Sequence, residues 1–144
     1  MSIYSHLLVP TDFSTYSENA AARAKVLAGA FGARITLIHV VDYVPPAYVA
    51  SELPGELPTP AALAERARNE LDAWAAQLGL ESAERVVVVG TAKRDIIDAA
   101  RKGGVDLIVI GTSGMGAMKR LLGSTTNRVL HDAPCDVLSV QAVA

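Results

Sequence analysis

Residues 111–126, GTSGMGAMKRLLGSTT, gather the residue types that hold an anion. Glycines at 111, 114, 116 and 123 let the backbone turn through positive φ and come close to a ligand. Gly123, Ser124 and Thr125 open a helical stretch, whose free N–H groups and dipole favour negative charge. The hydroxyls of Ser124, Thr125 and Thr126 add donors suited to phosphate oxygens. An ordinary turn with a serine helix cap is the plainer reading of the same residues. Familiar nucleotide motifs do not fit. A P-loop would need lysine and a hydroxyl residue after Gly116, where Ala117 and Met118 stand. The dinucleotide fingerprint would need glycine at Lys119, and a nucleophile elbow would need it at Met115. No Asp or Glu lies between Ser113 and His131, so a hydrolase triad in that order is missing as well.

A second cluster, Val9-Pro10-Thr11-Asp12-Phe13-Ser14, ends the first apolar run. Pro10 fixes its φ and shapes the exit. Asp12 or Ser14 would serve equally as a helix cap, or Asp12 would accept hydrogen bonds from ribose hydroxyls. Periodicity alone does not say whether this cluster and Gly111 are neighbours in space.

The elements that must position them follow from hydrophobic period. Nearly continuous apolar runs at 6–10, 34–40, 85–89, 106–110 and 135–140 read as strands covered on both faces. Helical stretches lie between them at 15–31, 60–78, 91–102 and 124–132. Leu63, Ala67, Leu71, Trp74 and Leu78 share one helix face, and Gly32, Gly79 and Gly103-Gly104 follow helix ends. Strictly alternating β and α elements predict an α/β fold, a parallel sheet with helices on both faces. Ligands bind such sheets at the carboxyl ends of the strands, here the loops at 11–14, 41–59, 90–91 and 111–123. The second of these is long and proline-rich and reads as a surface flap.

The 144 residues, with no internal repeat, predict one domain over 1–144. Hydrophobic residues at 51% and charged ones at 19% exclude a disordered chain. A net charge of −2 argues against a broad nucleic-acid face. No apolar run reaches the ~20 residues of a membrane helix, and one cysteine cannot form an internal disulfide. The expectation is a cytoplasmic protein. His6, His39 and His131 lack metal-ligand spacing, Trp74 falls on the core stripe, and Cys135 reads as a small hydrophobe. Lys119 and Arg120, like Lys93-Arg94-Asp95, read as solvated positions on the ligand edge.

Val9-Pro-Thr-Asp-Phe-Ser14, Leu37-Ile-His-Val40, Gly111-Thr-Ser-Gly114 through Gly123-Ser124, and His131-Asp-Ala-Pro-Cys135 together resemble the universal stress protein family across nearly the whole chain. The resemblance implies a Rossmann-like open five-stranded parallel sheet in the order 3-2-1-4-5. It also implies a homodimer joined through the last strand, Cys135 to Val140, where an unpaired edge has its own reason to seek a partner. It carries Pro10, Thr11 and Asp12 to the adenosine end of ATP, and Val40 to adenine through its backbone. Gly111, Gly114, Gly123, Ser124 and Thr125 go to the phosphates, with Met115 and Gly116 as backbone contacts in the loop. Mg2+ would accompany the phosphates. ATP-binding members place nine residues between the second and third glycines. Here eight separate Gly114 from Gly123.

The function expected is a stress-response regulator that binds ATP or a related adenine nucleotide. No residue is placed to activate water, so binding is the expected output and any hydrolysis incidental. The alternative is a non-nucleotide interaction protein of the same fold, acting through its dimer surface. An enzyme using the nucleotide for transfer would need a further acid or base near Asp12.

Overall fold

The computed structural model describes residues 3–43, 58–112 and 122–141. Five strands and four helices alternate: β1 (His6–Pro10), α1 (Thr15–Phe31), β2 (Arg34–Asp42), α2 (Pro60–Gln77), β3 (Glu84–Gly90), α3 (Ala92–Lys102), β4 (Leu107–Thr112), α4 (Leu122–Asp132) and β5 (Asp136–Gln141). All strand pairs are parallel, in the order β3-β2-β1-β4-β5. The Rossmann-like α/β architecture expected from the sequence is the one observed. β1 lies at the centre, with Leu7 opposite Leu107 of β4 and His6 opposite Arg34 of β2. Reversal of strand order therefore falls between β1 and β4, where such sheets open a crevice.

Alternation along the buried central strands supplies two cores, one on each face. Leu7, Val9, Leu37, Leu107 and Val109 pack against α1 and α2, through Ala20, Ala21, Ala24, Leu71 and Trp74. Leu8, Ile38, Ile108 and Ile110 pack against α3 and α4, through Ile96, Ile97, Ala100 and Val129. Alanines on α1 let that helix lie close to the sheet. Burial of the larger aliphatic side chains stabilises the fold by about 1.5–3 kcal/mol each.

Local signals stop the helices where the sequence suggests. Ser14 caps α1, its hydroxyl accepting from the Ser17 N–H at 3.3 Å, and Gly32 ends the helix with φ of 66°. Thr59 caps α2 in the same way, followed by Pro60 in the first turn. Phe13 is the one residue other than glycine with positive φ (65°) among the described residues. Its ring meets Trp74 of α2 edge-on, with centroids 6.0 Å apart.

Strand ends depart from expectation at the carboxyl edge. β2 runs on to Asp42 rather than stopping at Val40, held by pairing of Val41 with Val89 and Asp42 with Gly90. Gly111 and Thr112 belong to β4, paired with Val140 and Gln141, rather than to a loop. Thr91 is the cap of α3 and not its first residue, and α4 begins at Leu122, two residues early.

Candidate functional site

A cleft of about 180 Å3 opens at the carboxyl edge of the sheet, on the α3 and α4 side of the strand-order reversal. Pro10, Thr11 and Asp12 enter from the end of β1, with Ile38, Val40 and Asp42 from β2 and Ile110 and Gly111 from β4. Ala92 and Ile96 of α3, Thr125 and Thr126 of α4 and Ser17 of α1 complete the lining. Of the expected site residues, Pro10, Thr11, Asp12, Val40, Gly111 and Thr125 thus converge on one cleft. Gly123 and Ser124 fall in the first turn of α4. Gly114, Met115 and Gly116 lie outside the described residues.

The β1 exit is held by a short chain of hydrogen bonds. The Thr11 N–H donates to the Ile38 carbonyl at 2.9 Å, carrying the strand ladder one residue past Pro10. Thr11 Oγ1 accepts from the Phe13 N–H at 2.9 Å and donates to Ser17 Oγ at 3.0 Å. Asp12 Oδ1 accepts from the Ser14 N–H at 3.0 Å and from Ser17 Oγ at 3.1 Å. Ser14 rather than Asp12 is thus the cap of α1, while the Asp12 carboxylate braces the turn before that helix and lines the cleft.

Gly111 needs a different explanation from the one its sequence context suggests. It is a strand residue, and the positive-φ glycines among the described residues are Gly32, Gly79 and Gly104. A Cβ built at Gly111 would collide with the Tyr16 carbonyl. Glycine is required there because the first turn of α1 crosses β4 at backbone contact. Its carbonyl accepts from the buried Thr126 hydroxyl at 3.2 Å, which fastens α4 to the same strand.

Asp42 escaped the sequence reading, and Asp95, read there as a solvated position, has a side chain only 13% exposed. Thr91 offers no side-chain cap to α3. Instead the Thr91 N–H donates to Asp95 Oδ2 at 2.7 Å, and the Ala92 N–H to Asp42 Oδ1 at 3.4 Å. The Arg94 guanidinium lies 3.4 Å from Asp95 and is largely exposed, as a solvated first turn requires. A Cβ at Gly90 would strike the Asp95 carboxylate, so that glycine makes room for the cap. Asp95 stands four residues after Thr91, one beyond the capping-box spacing, so that pattern did not mark it.

The cleft is thus polarised. Its α3 side carries carboxylate charge over an apolar floor of Ile38, Val40, Ala92, Ile96 and Ile110. Its α4 side carries hydroxyls, and the first turn of α4 holds no acidic residue. Such a cleft can take a flat apolar body at one end and an anion at the other. Among the described residues, no three His, Cys, Asp or Glu side chains come together as metal ligands.

A sequence model described as the universal stress protein family matches residues 3–141. Universal stress protein A homolog 2 of Coxiella burnetii is 35% identical over 142 residues, which cover 98% of this chain and 97% of that protein. The solved structure of universal stress protein UspA from Lactobacillus plantarum is 30% identical, with a TM-score of 0.71, over 98% of this chain and 100% of that one. A universal stress protein crystallised in complex with cAMP is 28% identical, with a TM-score of 0.64, over 96% of this chain and 98% of its own.

Proposed function

The chain belongs to the universal stress protein family, and on that premise we propose that it is a stress-response regulatory protein that binds ATP or a related adenine nucleotide at the carboxyl edge of its sheet. The observation that carries this reading is the unequal furnishing of the two helix starts on the cleft. Carboxylates already take the Thr91 and Ala92 N–H groups at the start of α3, so a phosphate is repelled there. The start of α4 offers Thr125 and Thr126 with no acid in its first turn, so the phosphates belong there. The apolar floor between Val40 and Ile96 suits the base, and Pro10, Thr11 and Asp12 suit the ribose side. The cAMP complex of a relative supports the choice of adenine.

The residues present fit a nucleotide. A cleft of about 180 Å3 accommodates the nucleoside end, below the roughly 300–1,000 Å3 of a complete small-molecule site. Mg2+ would ride on the phosphates with most of its waters, since such ions need only one or two carboxylates from the protein. Asp12 is the carboxylate within the proposed ribose and phosphate path. Binding is the output, in the cytoplasm, with hydrolysis incidental. The protein acts as a homodimer joined through β5, whose outer edge has no strand beside it among the described residues.

Isothermal titration with ATP tests the nucleotide reading directly. Saturable heat and an upward melting shift are expected. Neither effect at millimolar ATP, AMP and cAMP would leave the dimeric interaction protein as the standing alternative. For the dimer, Leu138→Pro should give a monomer by light scattering; an unchanged mass would reject β5 as the interface.

A further inference from the structure

One histidine sits just behind the cleft. His39 is flanked along β2 by Ile38 and Val40, which line the cleft, and strand alternation turns it to the opposite face. There its Nδ1 lies 2.7 Å from the Thr11 carbonyl. A carbonyl only accepts, so Nδ1 carries the proton. The imidazole also packs on Phe13, with ring centroids 4.5 Å apart and planes tilted by 37°. Phe13 is the left-handed residue of the turn, a conformation that costs a side-chain-bearing residue free energy and persists only when its neighbours hold it.

Two of the restraints on that turn are local: Thr11 Oγ1 accepting from the Phe13 N–H, and Asp12 Oδ1 accepting from the Ser14 N–H. His39 adds a side-chain restraint from β2, beside the Ile38 carbonyl that accepts the Thr11 N–H. It grips the Thr11 carbonyl and covers the Phe13 ring, so it clamps both sides of Asp12. We propose that His39 is the positioning residue of the nucleotide site: its Nδ1–H fixes the peptide preceding Asp12 and so aims the Asp12 carboxylate at the cleft without touching the ligand. This rests on the nucleotide reading above. The effect expected is on affinity, because an unclamped turn must be ordered when the ligand arrives.

Two substitutions separate the hydrogen bond from the ring. His39→Phe keeps an aromatic ring against Phe13 and loses the donor. His39→Asn places an amide N–H near the position of Nδ1 and loses the ring. Titration with ATP should show about tenfold weaker binding for His39→Phe, while His39→Asn recovers most of the wild-type affinity. Equal affinity in all three proteins would overturn the proposal. So would equal loss in both variants, which would mean that the ring alone matters.

A ligand-free measurement keeps the two inferences apart. Long-range nitrogen–proton NMR of the wild-type imidazole should find the Nδ1–H form; an Nε2–H form would overturn the role of His39 even if ATP binds. If wild type binds no adenine nucleotide, the functional reading falls and the Nδ1–H result alone decides whether the clamp exists. If His39→Phe does not fold, His39→Asn with near-wild-type affinity and the Nδ1–H form together support the proposal, and the absence of either defeats it.

Discussion

Two helices point their first turns at the same cleft, yet the chain finishes them in opposite ways. At α3 the Thr91 and Ala92 N–H groups are taken by carboxylates, Asp95 from the helix itself and Asp42 from the end of β2. At α4 no acid lies in the first turn, Thr125 and Thr126 line the cleft, and Thr126 also bonds the strand behind it. A closed helix start is a structural element; one without an internal anion has capacity for an external one. The difference gives the cleft a direction, from an apolar, acid-flanked end to a hydroxyl-lined end.

The largest way to break this contrast is to remove the strand that supports the α4 side. Gly111→Val should cost about 3 kcal/mol in urea denaturation, because the side chain collides with the Tyr16 carbonyl and α1 must lift off β4. A stable Gly111→Val protein would mean that α1 does not cross the strand so closely. Next comes Thr125→Asp, which makes both helix starts acidic. ATP affinity should fall by about tenfold while the melting temperature holds, since an acid in a first turn suits the helix dipole. Unchanged affinity would place the phosphates elsewhere.

Asp95→Ala sharpens the comparison from the other side. It strips α3 of its main cap and should lower stability by about 1 kcal/mol, with little change in ATP affinity. A large loss of affinity instead would make the α3 side part of the anion site. The smallest effect concerns a further carboxylate that takes backbone N–H groups, at the opposite edge of the sheet. Burial works against the Asp106 charge, but the Ser5 and His6 N–H groups and the Ser5 hydroxyl outweigh it and hold the carboxyl below its ordinary range. A carboxyl that ionises more readily when folded adds stability above its unfolded value, near about pH 4, and loses it as pH falls through the folded value. Urea midpoints should therefore drop more steeply below about pH 4 in wild type than in Asp106→Asn. Parallel slopes would remove Asp106 from the acid response.

Much of this was legible in the chain, for physical reasons that differ by residue. Buried strands such as β1 and β4 announce themselves as unbroken apolar runs because both faces are covered. Gly32 and Gly79 mark helix ends because only glycine sits comfortably at their φ of 66° and 71°. Adjacency of β1 and β4 was hidden from periodicity, since pairing partners stand about a hundred residues apart. Gly111 was misread for a related reason. A glycine needed for close helix crossing looks in sequence like a glycine needed for a turn, and the carbonyl that excludes a side chain belongs to Tyr16. Asp42 was missed because the strand reading stopped at Val40 and assigned Val41 and Asp42 to the loop, whereas β2 carries both. The partner of Asp42, the Ala92 N–H, lies fifty positions onward. His39 was read only as a histidine without metal-ligand spacing, and nothing in that spacing hints at the Thr11 carbonyl.

Trp74 packs edge-on against Phe13, and its buried indole N–H has no hydrogen-bond partner among the described residues. The chain has no other tryptophan. All indole light from this molecule therefore originates in one buried spot beneath the β1 exit, and its colour should lie toward the blue. A turn that loosens would admit water to that spot and redden the emission, so the protein carries an unlabelled optical gauge of the corner where Asp12 is held.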